Sequence, residues 1–341
     1  MALFSVLWLG GETMKIVITD YKDSMMPTHD YEKEILINGL GSCEVVIYEY
    51  QDEKREEFYE IIKDADAILT AFTKIDKEAM DHAPNLKVIS MNATGFDNVD
   101  LEEANKRGIG VCPVGEYCTI DVAEFTIAIL LTLVKNIKIY TQDVEQKHQW
   151  RYDVGIANKR IEDMVLGIFG FGKIGKAVGR RARALGMTVI ACDPFIHQES
   201  GKEWSIEMVG AEEIYAKADI ITNNMNANET NTDFFHFENF RKMRKQPYFI
   251  NMGRGSCVVE SDLITALDNG YLKGVGLDVL RDETPDLASH PLIGRDNVIV
   301  TPHAAFYTQS SIDELQKLST ENIVYYLRGE KQKVFKLVSN S

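Results

Sequence analysis

Three polar residues follow late apolar runs in the chain. Arg254 stands in Ile250-Asn251-Met252-Gly253-Arg254-Gly255, and Glu283 follows Gly276-Leu277-Asp278-Val279-Leu280-Arg281-Asp282. His303 stands in Val300-Thr301-Pro302-His303-Ala304-Ala305. An arginine offers a fixed fork of N–H donors that matches a carboxylate. A histidine titrates near neutral pH and can act as acid or base. A glutamate bonded to it favours the imidazolium and fixes the ring. Taken singly, each has a plain structural explanation, as a sheet cap, a solvated charge or a core histidine. Together they suit the reduction of a 2-oxo acid: a fork for the carboxylate and a proton for the forming alkoxide.

A second cluster supplies a place for the hydride donor. Val165-Leu166-Gly167-Ile168-Phe169 reads as a buried strand and runs into Gly170-Phe171-Gly172-Lys173-Ile174-Gly175. Glycines at these spacings permit a tight turn, a close approach of pyrophosphate, and close helix–strand packing. The helix start offers free N–H groups to phosphate. Asp193, in Ala191-Cys192-Asp193-Pro194-Phe195, ends the next strand. Its carboxylate suits ribose hydroxyls and repels a 2′-phosphate, and no Lys or Arg follows among Phe195, Ile196 and His197. The cofactor expected is therefore NAD, not NADP.

The elements that must carry these residues form two alternating strand–helix series. The first has strands near Ile16–Thr19, Glu44–Tyr48, Ala67–Leu69, Val88–Met91 and Ile109–Val111. The second has them near Val165–Phe169, Val189–Ala191, Ile220–Thr222, Tyr248–Asn251, Val275–Asp278 and Val298–Val300. Such alternation predicts parallel sheets covered on both faces. Between the series, residues 119–147 read as one long helix of roughly 40 Å. A last helix is expected over Ser310–Arg328, packing back on the first series. No tract of about 18 apolar residues predicts a membrane span. The apolar opening, residues 1–13, lacks the basic flank and A-x-A site of a signal peptide and reads as a tag remnant, an upstream start or a loose extension.

With 341 residues, 37 Lys/Arg and 52 Asp/Glu, the formal charge is −15. Residues 1–113 alone hold 11 basic and 22 acidic side chains. Nucleic acid and anionic membranes are thus expected not to be partners. The five cysteines have no CxxC spacing, which predicts free thiols in a reducing cytoplasm and no metal centre.

At these motifs, and at Thr94-Gly95-Phe96-Asp97-Asn98-Val99-Asp100, the sequence resembles the D-isomer-specific 2-hydroxyacid dehydrogenases over most of residues 14–330. The resemblance implies two Rossmann-like, doubly wound parallel-sheet α/β domains with the active site in the cleft between them. Residues 1–113 and 310–341 would form the substrate-binding domain, and residues 114–309 the NAD-binding domain. His303 would be the acid/base, Glu283 its partner, and Arg254 the binder of substrate carboxylate and carbonyl. Ala71, Phe72, Thr94, Gly95 and Phe306 would complete the substrate site. Gly170, Gly172, Lys173, Ile174, Gly175, Asp193, Asn224, Met252, Asp278 and His303 would contact the cofactor. The resemblance further implies a homodimer. Within the family, Thr301–Tyr307 and Asn224–Glu229 look nearest the C-terminal-binding-protein branch, whose animal members are NAD(H)-linked corepressors. Two departures narrow the substrate. Met91 stands where many relatives carry Arg, which argues against a second charged group there. Thr94 stands where phosphite-oxidising relatives tend to carry Lys. A corepressor-like binding protein and a formate or phosphite oxidase are the alternatives in the same scaffold.

Overall fold

A computed structural model describes residues 13–340 of the chain apart from Pro27 and Glu283. Val- and Ile-rich runs of the first series form strands β1 (Met14–Tyr21), β2 (Cys43–Tyr50), β3 (Ala67–Thr70), β4 (Val88–Met91) and β5 (Gly110–Pro113). All pair parallel, in the order β2-β1-β3-β4-β5. Alternate residues point to opposite faces of a strand. Val17 therefore joins a core with Phe58, Ile62 and Ile89, and Ile16 and Ile18 join another with Leu36, Leu40 and Ile323. Helix Gln309–Leu327 supplies Ile323, Val324 and Tyr326 to that second core, as the sequence pattern anticipates.

The second series forms β6 (Val165–Phe169), β7 (Thr188–Cys192), β8 (Glu207–Met208), β9 (Ile220–Asn223), β10 (Tyr248–Asn251), β11 (Gly274–Leu277) and β12 (Val298–Val300). These also pair parallel, in the order β12-β11-β10-β9-β6-β7-β8. Its two faces carry separate cores, with Ile220 and Ile250 on one and Ile221 and Phe249 on the other. β8 has only two residues, too few for an apolar pattern to announce it. The chain forms two compact units, one reaching Tyr117 and resuming at Thr308, the other spanning Cys118–Tyr307.

One expectation is corrected. Residues 119–147 form not one helix but two, Thr119–Val134 and Ile137–Glu145. Asn136 adopts the left-handed conformation at φ 56° and breaks the helix. Its side chain holds that turn by donating to Ile156 O at 2.8 Å and accepting from Ile156 N–H at 3.1 Å. The first helix, 16 residues long, spans about 24 Å. Among the described residues no helix is long and apolar enough to cross a membrane. No group of acidic, His and Cys side chains there could hold a metal ion. All five cysteines lie outside disulfides, and burial raises the pKa of Cys43, Cys112, Cys192 and Cys257. Those four are poor nucleophiles in consequence.

Candidate active site

In the second unit the strand order reverses between β6 and β9. Doubly wound sheets hold dinucleotides beyond the carboxyl ends of the strands at such a reversal. Gly170 leaves β6 there at φ 83°, a conformation L side chains rarely adopt. A Cβ on it would lie 2.7 Å from Met225 N and 2.8 Å from Asn224 C. A Cβ on Gly175 would collide with Gly170 O, so the helix Lys173–Ala184 can pack this closely only on glycine. At the N-cap, Gly172 has open space around its missing Cβ, and no side chain caps this helix. The first-turn amides of Lys173, Ile174 and Gly175 precede the intrahelical ladder and can take a pyrophosphate.

Asp193, just past β7, is already partly engaged. One oxygen accepts Phe171 N–H at 2.8 Å and the other accepts Phe195 N–H at 3.0 Å. A carboxylate has about four acceptor positions, so capacity remains for ribose hydroxyls. Beside it lies a hollow of about 360 Å³ whose lining residues include Asp193, Glu207 and Glu213. Three acids around one hollow disfavour a 2′-phosphate. Across the reversal, Asn224 donates to Thr222 Oγ1 at 3.0 Å, while its own buried Oδ1 has no partner. That orphaned acceptor, together with the glycine cradle, fits a bound dinucleotide.

The other end of the same rim carries the acid–base candidates on consecutive strands. Neighbouring strands lie about 4.8 Å apart, so the segments leaving β10 and β12 are roughly 10 Å apart. After β10, Asn251 shapes the loop: its Oδ1 accepts Gly253 N–H at 3.1 Å, and its Nδ2 donates to Arg254 O at 3.1 Å. Arg254 is exposed, and its guanidinium donates to Gly253 O at 2.9 Å. Met252 is buried. After β12, half-buried His303 sits at φ 51°, a strained conformation for a non-glycine residue. Asp278, the first residue beyond β11, holds that strain. Its backbone carbonyl accepts His303 N–H at 2.7 Å. Its buried carboxylate accepts Thr301 Oγ1–H at 2.6 Å, Ala304 N–H at 2.8 Å and Ala305 N–H at 2.9 Å. The His303 ring meets Phe306 edge-on at 6.3 Å. Glu283, the expected partner of His303, lies outside the described residues.

In the first unit, the candidate residues Ala71 and Phe72 follow β3, and Thr94 and Gly95 follow β4. Ala71 is buried, while Phe72 is 59% exposed and Thr94 and Gly95 are also exposed. Asn98 joins the two loops: its Nδ2 donates to Thr73 O at 2.7 Å, and its carbonyl accepts Ile75 N–H at 2.9 Å. Sequence reasoning passed over Asp20, at the end of β1, which accepts Ala71 N–H at 2.6 Å. The available signal was a lone carboxylate closing the apolar run Ile16-Val17-Ile18-Thr19. It also gave Asn98 and Asn251 no role, although both lie inside the motifs it singled out.

Comparison with known proteins gives consistent matches. The family model described as D-isomer specific 2-hydroxyacid dehydrogenase, NAD binding domain, matches residues 127–305. A glyoxylate reductase of Thermofilum pendens is 33% identical over 84% of this chain and 86% of its own. A hydroxypyruvate reductase of Blautia hydrogenotrophica is 30% identical over 86% of this chain and 91% of its own. Among solved structures, a D-lactate dehydrogenase from Aquifex aeolicus, complexed with NAD and lactic acid, superposes with a TM-score of 0.81. It is 26% identical, and the match covers 96% of this chain and 99% of that one.

Proposed function

The chain belongs to the D-isomer-specific 2-hydroxyacid dehydrogenase family, and from that premise we propose that it interconverts a small 2-oxo acid and its (R)-2-hydroxy acid. The observation that carries the reading is the strained His303, clamped by Asp278 on the rim of the sheet that bears the dinucleotide cradle. When bound, NAD(H) supplies the hydride exchanged with the substrate's C2. Gly170, Gly172, Lys173, Ile174 and Gly175 hold its pyrophosphate, and Asp193 its adenosine ribose. Asn224, Met252 and Asp278 bound the site toward the other end of the molecule. Arg254 holds the substrate carboxylate and carbonyl, with backbone amides at Thr94 and Gly95 sharing the carboxylate. His303 gives its proton to the carbonyl oxygen as that oxygen becomes an alkoxide, and recovers it in the reverse direction. Glu283 pairs with the imidazole and orients it. Ala71, Phe72 and Phe306 line the substrate's apolar side.

Glyoxylate and hydroxypyruvate lead the candidate substrates, since similar relatives carry those names. We assign residues 1–113 and 310–341 to substrate binding and residues 114–309 to NAD binding. A cytoplasmic homodimer is the assembly we infer. Supporting it, Trp150 and Tyr152 are 91% and 90% exposed close together beyond the Ile137–Glu145 helix, apolar surface that a second copy would cover. Placement in the C-terminal-binding-protein branch rests on the Thr301–Tyr307 and Asn224–Glu229 segments alone.

The test is His303→Ala assayed against glyoxylate, hydroxypyruvate and pyruvate with NADH. Loss of general acid catalysis lowers kcat by about 10²–10⁴-fold. Unchanged turnover would overturn the assignment.

A further inference from the structure

The first sheet reverses its strand order between β1 and β3, the position at which doubly wound sheets hold ligands. Asp20 stands on one lip of this reversal, at the carboxyl end of β1, and residues 71–73 leave β3 on the other. The side chain is almost wholly buried, with 4% of the residue exposed. Its Oδ2 accepts Ala71 N–H at 2.6 Å, and Phe72 N–H reaches its two oxygens at 3.1 and 3.3 Å. Tyr21 N–H adds a bond of 3.2 Å to Oδ1. The neighbouring backbone is fixed in turn. Thr70 Oγ1 accepts Thr73 N–H at 3.0 Å, Thr73 O accepts from Asn98, and Asn98 O accepts from Ile75. A continuous run of hydrogen bonds thus leads from Asp20 through residues 70–75 to the loop that carries Thr94 and Gly95.

Burying a carboxylate is costly unless its lone pairs are filled. An apolar side chain here would avoid that cost but would leave the amides of Ala71 and Phe72 unpaired. We propose that Asp20 is a positioning residue for substrate binding, fixing the backbone of residues 71–73 and, through Asn98, that of the Thr94–Gly95 loop. With the Ala71 and Phe72 amides committed to Asp20, an incoming carboxylate is directed to the other loop. A second carboxylate on the substrate would meet the Asp20 charge, which selects for monocarboxylic 2-oxo acids. This inference rests on the assignment of both loops to the substrate.

Asp20→Asn keeps the shape of the side chain and removes one of its two acceptor oxygens. Using the 2-oxo acid of the panel turned over fastest, its KM rises about tenfold or more, as expected for losing bonds to a charged acceptor. Its kcat changes less than about threefold, and NADH affinity, read by fluorescence, is unchanged, a split that a general loss of structure would not give. Phe72→Ala, measured in parallel, tests the loop itself. A raised KM in Phe72→Ala with an unaltered KM in Asp20→Asn overturns the role of Asp20 and leaves the loop assignment standing. An unaltered KM in both overturns the loop assignment and the inference with it. If Asp20→Asn does not fold, amide exchange in the wild-type protein decides. Slow exchange at residues 71 and 72 supports the clamp, and exchange as fast as in an open loop overturns it.

Discussion

Two buried aspartates, Asp20 and Asp278, do the same physical work in different units. Each gathers backbone N–H groups from a loop that follows a neighbouring strand. At Asp20, burial pushes the carboxyl up to about 6, although the N–H groups of Ala71, Phe72, Tyr21 and Thr73 pull it down. The sign of the pH dependence follows. Between pH 3.8 and about 6 the folded chain binds a proton at Asp20 that the unfolded chain does not. Acid therefore favours folding through this group, and that contribution shrinks as pH rises from 3.8 and is gone once pH passes about 6. The gap is worth up to about 3 kcal/mol. Urea unfolding of wild type and Asp20→Asn across this range checks it. The variant gains stability relative to wild type as pH rises, whereas parallel curves would contradict a raised carboxyl. Retaining a carboxylate that weakens the fold at neutral pH accords with a role in function rather than in stability.

At the level of elements, the break at Asn136 separates two helices that composition alone would join. Asn136→Ala loses both bonds to Ile156 and places alanine in a left-handed conformation. Unfolding free energy should fall by about 2–4 kcal/mol, read from the denaturant midpoint. Asn136→Gly loses the bonds without the conformational penalty and falls less. This break also marks the limit of what the sequence reveals. Strands such as Tyr248–Asn251 and the Gly170–Gly175 turn are legible because their signals lie in adjacent residues. Asn136 is not, because its role depends on Ile156, twenty residues on. Asp20 is not, because its bond to Ala71 spans 51 residues and exists only once β1 and β3 pair. The residue types Arg254 and His303 could be read from sequence. The strain at His303 and its clamp by Asp278 required the strand order β10, β11, β12.

Across the whole molecule, residues 1–113 carry twice as many acidic as basic side chains, yet the proposed substrate is an anion. On the proposed site, attraction comes from Arg254, His303 and backbone amides at short range, while the wider field opposes approach. Raising salt from about 0.01 to 0.15 M shortens the screening length from about 30 to about 8 Å. kcat/KM should rise modestly over that range, and a steep fall would reveal a basic approach to the site. The order of elements along the chain matters before the enzyme ever meets substrate. Five strands of the first sheet are complete at Pro113, but the Gln309–Leu327 helix that closes over Ile16, Ile18 and Val88 lies roughly 200 residues further on. At about 5–20 residues per second, a ribosome takes on the order of 10–40 s to deliver it. Through that interval the nascent first unit shows an apolar face to its surroundings while the whole second unit is being made. Shielding during synthesis, by chaperones or by slow collapse, is thus a demand written into the order of the chain.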